Sequence, residues 1–161
     1  MAWIEVDVAD VTYYVDHVLE TMVEILRTLG DELANEKPAI AGANSPFQIV
    51  THCLGVMEFW GGERIAGREV HRDRPAEFAA SGRIDDLIET VAGQRERFFA
   101  DLSSLESRAA PKNPGSAAGA DDPSAKSQSG VVLHVLEELF QHLGHLEITR
   151  DVLAAVAGQQ L

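Results

Sequence analysis

Apolar residues at helical spacing run through four long segments of this chain, and this pattern constrains its fold most. They recur every three or four positions in each segment, and no segment shows the strict alternation of a half-buried β-strand. At about 1.5 Å per residue, each helix would be roughly 30 to 40 Å long. The sequence therefore predicts an all-α four-helix bundle, with helices over about residues 7–35, 45–68, 81–105 and 130–156.

Several helix starts carry local signals. Asp7 or Asp10 is expected to cap the first helix, and Asn44 or Ser45 the second, where Pro46 falls in the first turn. The connections contain proline and are predicted to be loops, long enough to allow crossovers. They cover residues 36–43, 70–80 and 109–129, and the last, rich in Pro, Gly, Ser and Ala, is expected to be flexible.

Composition narrows the functional classes. The length of 161 residues predicts a single domain over 1–161, and the net charge of −13 argues against nucleic acids and anionic membranes as partners. The single cysteine excludes an internal disulfide. With no secretory signal and no run of about 18 apolar residues, the default expectation is a cytoplasmic protein without a membrane span. A homodimer is plausible, because broad bundle faces are easily paired.

Three of the six histidines lie in one short stretch of the fourth helix. Glu138 and His142 stand at i and i+4, so their side chains point to one place and can share a metal ion. His134 and His145 fall in the same sector of the helix. His52, beside apolar residues on the second helix, is the natural third ligand. Two histidines and one glutamate would leave a fourth zinc position open.

Other interpretations of these residues stay open at this point. A lone histidine on an apolar face is usually a core residue with a satisfied hydrogen bond, and Glu/His pairs at this spacing are common on solvated faces. Trp60 either lines a pocket or packs in the core. Cys53 follows His52 but points about 100° away on a helix, so a buried structural thiol is expected.

Two stretches resemble a known family. The run from Asn44 through His52 to Trp60, NSPFQIVTHCLGVMEFW, looks like the second-helix motif of DinB-like proteins. The run from His134 to His145, HVLEELFQHLGH, with Arg150 further along, resembles the fourth-helix motif of one branch. That branch is related to mycothiol-dependent maleylpyruvate isomerase.

The resemblance implies a four-helix bundle with crossover topology and a divalent metal, zinc or nickel. It places the metal on His52, Glu138 and His142. It implies that His134 and His145 are pocket residues or residues that support the ligands. It also implies a low-molecular-weight thiol such as mycothiol or bacillithiol, and a small electrophile as substrate. Arg150 either pairs with an acidic residue of the bundle or binds a substrate carboxylate.

Three functions compete at this stage. The first is a metal-dependent thiol S-transferase or isomerase, suggested by the open three-ligand set. The second is a non-enzymatic metal-binding or stress-response protein, which closure of the site by a fourth protein ligand, such as His145 or His134, would favour. The third is an interaction module whose histidines merely pack. We rank them in this order.

Overall fold

Long helices dominate the computed structural model, which describes residues 6–113, 124 and 126–158. No strand occurs in these residues, and the predicted all-α bundle is confirmed. A π-helical stretch, hereafter the π-segment, continues α2 and covers Glu58–Ala66. The helices are α1 (Val8–Asn35), α2 (Pro46–Met57), α3 (Arg74–Glu77), α4 (Ile84–Leu102) and α5 (Gln128–Ala157).

The helix α1 begins at the first of the two caps that the sequence offered. The Asp7 carboxylate accepts a hydrogen bond from Ala9 N at 2.9 Å and so satisfies one of the free N–H groups of the first turn. The sequence pattern predicted one unbroken helix, but Gly30 interrupts it with φ 67° and ψ 178°. Glycine adopts this conformation at little cost because it has no Cβ.

The helix α2 begins with a complete capping box. Ser45 Oγ accepts from Gln48 N, and the Gln48 side chain accepts in return from Ser45 N. The predicted regular helix to residue 67 or 68 is wrong in detail, because the α-helix ends at Met57 and the π-segment carries the chain onward. Gly67 then ends it in the left-handed conformation, with φ 77°.

The core lies where α1, α2, α4 and α5 meet. Both α1 and α2 contact the other three of these helices, and ten of the twelve residues of α2 are buried. A polar side chain on α2 therefore faces protein rather than water. The fully buried large side chains that fill the core include Met22, Leu26, Ile49, Met57, Ile65, Phe98, Leu139 and Leu146.

The connections differ most from the prediction. Residues 70–80 were expected to be a loop but contain α3, and the third long helix is Ile84–Leu102, shorter than the predicted 81–105. Much of the connection 109–129 lies outside the described residues, so its flexibility stays a prediction, as does the single-domain assignment. No helix in the described part of the chain is long and apolar enough to cross a membrane.

Candidate metal centre

The imidazole of His52 lies inside the bundle. The residue is 2% exposed, and its ring stacks on Phe78 with centroids 4.8 Å apart. Its Nδ1 atom lies 2.7 Å from Oε2 of Glu77. Buried polar atoms are costly unless they are hydrogen-bonded, so this contact is what allows a histidine at this position.

Glu77 reaches His52 because the short helix α3 packs against α2. The Asp73 side chain caps α3 and fixes its start. Gly55, three residues after His52, leaves the space through which the carboxylate passes, since a Cβ at this position would overlap the Glu77 side chain. Glycine at position 55 therefore leaves room for this contact, and a larger residue would shift the Glu77 carboxylate.

Arg72 holds the Glu77 carboxylate from the other side. Its Nε donates to Oε1 at 2.6 Å and its Nη2 donates to Oε2 at 2.9 Å. Nη2 also lies 3.3 Å from Nδ1 of His52, but both a guanidinium and a protonated Nδ1 are donors. The shorter contact, to an acceptor-only carboxylate, decides the tautomer. Nδ1 of His52 carries the proton, and Nε2 presents a lone pair.

Two residues of α5 face that lone pair. Oε2 of Glu138 lies 3.8 Å from Nε2 of His52 and 3.4 Å from Nε2 of His142. The two imidazoles meet edge to face, with centroids 4.7 Å apart. One ligand atom from each of these three residues lies within 4.8 Å of the other two. The helix spacing of four residues and the packing of α2 on α5 bring them together.

The separations suit a shared cation better than direct hydrogen bonds. The distances from Glu138 Oε2 to Nε2 of His52 and to Nε2 of His142 are both long for an N–H···O bond, which prefers about 2.9 Å. Tetrahedral zinc with bonds of about 2.1 Å places its ligand atoms about 3.4 Å apart. His52, Glu138 and His142 could therefore hold a divalent cation after small shifts, with one coordination position left for water or a ligand.

His142 is held less firmly than His52. Its Nδ1 is buried and has no hydrogen-bond partner among the described residues. Burial lowers the pKa of His142 below its ordinary value, and the nearby His52 adds to this effect, while Glu138 opposes it. The imidazole is therefore neutral near pH 7, the form in which histidine binds metals.

His134 and Trp60 lie beside the three candidate ligands. Nε2 of His134 is 3.9 Å from Oε1 of Glu138, and its ring contacts Trp60 with centroids 4.5 Å apart. Trp60 is 8% exposed, so it also belongs to the core. These positions are compatible with the pocket roles expected for both residues, which stay predictions.

The other two expected pocket residues are more distant or otherwise engaged. His145 is exposed, and its ring centroid lies 6.1 Å from that of His142. Arg150 forms an ion pair with Asp151, its neighbour in the chain, and no described contact joins it to the candidate ligands. A role for Arg150 at the site stays a prediction.

The remaining histidines and the cysteine are not members of the candidate ligand group in the described structure. His17 is exposed and contacts Phe140 and Tyr13, and the side chain of His71 is 87% exposed. Cys53 is fully buried, as expected for a structural thiol, and desolvation strongly raises its pKa. Its thiol is thus neither accessible nor ionised.

Sequence reasoning missed Glu77 and Arg72. A partial signal was present, because Asp73 before Pro75 is typical of a helix start and would have placed Glu77 in a first turn. The contact with His52 spans 25 residues and is set by tertiary packing, so no local pattern announces it.

Comparison with known proteins bears on this arrangement. A family model described as Mycothiol-S-transferase matches residues 10–155. The chain belongs to the mycothiol-S-transferase family. This family is part of the DinB-like superfamily, so the resemblance seen in the two helical motifs is confirmed. Comparison with curated protein sequences gives no significant match.

Proposed function

We propose that this protein is a metal-dependent thiol S-transferase in which His52, Glu138 and His142 hold a divalent cation, zinc before nickel. The observation that carries the proposal is the convergence of three ligand atoms from α2 and α5 within 4.8 Å of one another. The family match supports the reaction class, S-transfer with a mycothiol-type thiol, and we propose a small electrophile as the acceptor. The geometry gives a site where such a thiol could be activated.

The protein's own contribution is positioning. When bound, a divalent cation stabilises a thiolate and so makes a thiol nucleophilic at neutral pH. The pair of Arg72 and Glu77 keeps the lone pair of His52 turned toward the centre. His134 offers an imidazole beside Glu138, suited to accept the proton that the thiol loses.

Access to the centre favours a small-molecule enzyme over a closed metal store. The side chain of His52 is 3% exposed, whereas those of Glu138 and His142 are 26% and 20% exposed. A ligand would therefore approach from the α5 side. Within the described residues, the candidate group contains no fourth His, Cys, Asp or Glu ligand that would close the site.

Elemental analysis of protein purified without a histidine tag tests the metal site. We expect about one zinc or nickel ion per chain in the wild type and almost none in His142→Ala. His71→Ala is the matched control, because its side chain is exposed and lies outside the group. Absence of metal in the wild type, even after incubation with zinc and with nickel, would rule the proposal out.

Thiol binding then separates the enzyme from a metal-binding protein. Calorimetric titration with mycothiol should show binding to the metal-loaded wild type and none to protein treated with a chelator. Consumption of monochlorobimane with mycothiol should be faster with loaded wild type than with His142→Ala. Stoichiometric metal without thiol binding would favour the non-enzymatic alternative.

A further inference from the structure

Arg64, on the π-segment, is a buried cation to which the described residues offer no ion pair or side-chain hydrogen bond. The residue is 5% exposed, and its Nε and Nη1 are buried and make no hydrogen bond within the described structure. Its guanidinium lies 5.0 Å from the ring centroid of Phe59 and 5.9 Å from that of Trp60. Such ring contacts offset only part of the cost of removing a charge from water.

Other arginines of this chain form paired hydrogen bonds with carboxylates. Arg68 and Arg72, from the same region, each bind a carboxylate through two nitrogens, as does Arg95 on α4. The chain has 26 acidic residues against 13 basic ones, so acidic partners are plentiful. Arg64 is the one of these four without such a partner in the described residues, although it is nine-tenths buried.

The position of Arg64 links it to the candidate metal centre. The Trp60 ring contacts both the Arg64 guanidinium and the His134 ring, whose centroid lies 4.5 Å away. His134 in turn lies 3.9 Å from Glu138. Two ring contacts therefore connect Arg64 to a candidate metal ligand, and these residues lie on the π-segment and α5, which pack against each other.

We propose that Arg64 binds the carboxylate of a small organic acid that occupies the candidate centre. Guanidinium N–H groups in one plane match a carboxylate, while the aromatic neighbours suit an apolar or planar body attached to it. The identification of this acid as a reaction partner rests on the proposed S-transferase function. The binding of a carboxylate at Arg64 is a separate claim and is tested without catalysis.

The experiment uses the full chain, freed of metal with a chelator, and benzoate as the probe. We follow the Arg64 Nε–H resonance in a nitrogen–proton correlation spectrum, assigned by its absence in Arg64→Gln. Benzamide, which has the same shape without the charge, is the matched ligand. Arg97→Gln is the matched variant, because Arg97 is an exposed arginine with an ion pair of its own.

We expect benzoate to shift this resonance with saturation in the millimolar range, and benzamide to have little effect. Calorimetry on Arg64→Gln should show affinity for benzoate reduced by about 10- to 100-fold, as for loss of a charged hydrogen bond, with Arg97→Gln unchanged. Arg64→Lys, which keeps the charge but not the planar pair of donors, serves if the glutamine variant does not fold, and should also bind more weakly.

Three results would overturn the inference. Equal responses to benzoate and benzamide would show that charge is not recognised. An equal response to phosphate or chloride would mean an adventitious ion only. Binding of benzoate only after zinc loading would place its carboxylate on the metal rather than on Arg64. Because zinc uptake is measured separately, failure of this inference and failure of the proposed function remain distinguishable.

Discussion

The two histidines of the candidate centre are supported in opposite ways. His52 is buried, stacked on Phe78 and anchored through Nδ1 to Glu77. His142 is partly exposed, and no described residue forms a hydrogen bond with its buried Nδ1. The α2 side is thus held by hydrogen bonds within the fold, whereas the described residues give His142 Nδ1 no such support. A site built in this way can hold a metal firmly on one side and adapt to a ligand on the other.

The largest difference should appear in the stability of the metal-free protein. His52→Ala removes a buried ring and leaves Glu77 and Arg72 without their third partner, so we expect a loss of about 3 kcal/mol. His142→Ala removes a partly exposed ring whose Nδ1 is already unpaired, and should cost less than about 1 kcal/mol. Urea unfolding followed by circular dichroism measures both. Equal losses would show that the two sides are supported alike.

The next effect concerns metal affinity. Glu77→Gln keeps the size of the side chain but weakens the hold on the His52 tautomer, so we expect zinc affinity to fall about 10- to 100-fold. Competition with a chromophoric chelator measures it. Glu137→Gln is the control, because that side chain is 73% exposed and contacts His134 rather than a candidate ligand.

A substitution at Gly55 displaces the Glu77 carboxylate without changing its charge. It therefore tests whether the position of this carboxylate affects zinc affinity. Gly55→Ala should push the Glu77 carboxylate away from His52 and lower zinc affinity in the same direction. Gly93→Ala, which meets open space in α4, should leave zinc affinity unchanged. Unaltered affinity in both Gly55→Ala and Glu77→Gln would count against any role of Glu77 in positioning His52.

The smallest effect follows from the lowered pKa of His142. The folded metal-free protein binds a proton there less readily than the unfolded chain, whose histidine pKa is about 6.5. The free energy of unfolding is therefore unaffected by protonation of His142 above about pH 6.5. It decreases as the pH falls from there toward the lower pKa of the folded protein, because the unfolded chain then binds the proton more readily. Urea unfolding from pH 8 to 5 should show a weaker decline in His142→Gln than in wild type. Parallel curves would contradict the assignment.

Much of this molecule could be predicted from local pattern. The apolar periodicity located all four long helices, and the caps at Asp7 and Ser45 were among the residues expected. Helical spacing also brought Glu138 and His142 together, because i and i+4 side chains share a face. These successes concern interactions within one helix, where sequence distance and spatial distance agree.

The parts that escaped prediction depend on contacts between elements. The hydrogen bond from His52 to Glu77 requires α3 to fold onto α2 and requires Gly55 to leave space. The unpaired state of Arg64 is equally invisible in sequence, since the described carboxylates near the π-segment, such as Glu58 and Asp101, bind other arginines. Residue type suggested which side chains could act, and only packing determined what supports them.

The buried Cys53 has a consequence under the proposed function, in which the protein handles electrophiles. Any enzyme that brings reactive carbon centres close to thiols risks alkylating itself. Here the chain's single cysteine is inaccessible and its pKa is strongly raised, so it stays a poor nucleophile while the protein is folded. The folded protein would resist alkylation by such electrophiles, and labelling by iodoacetamide would report loss of the fold.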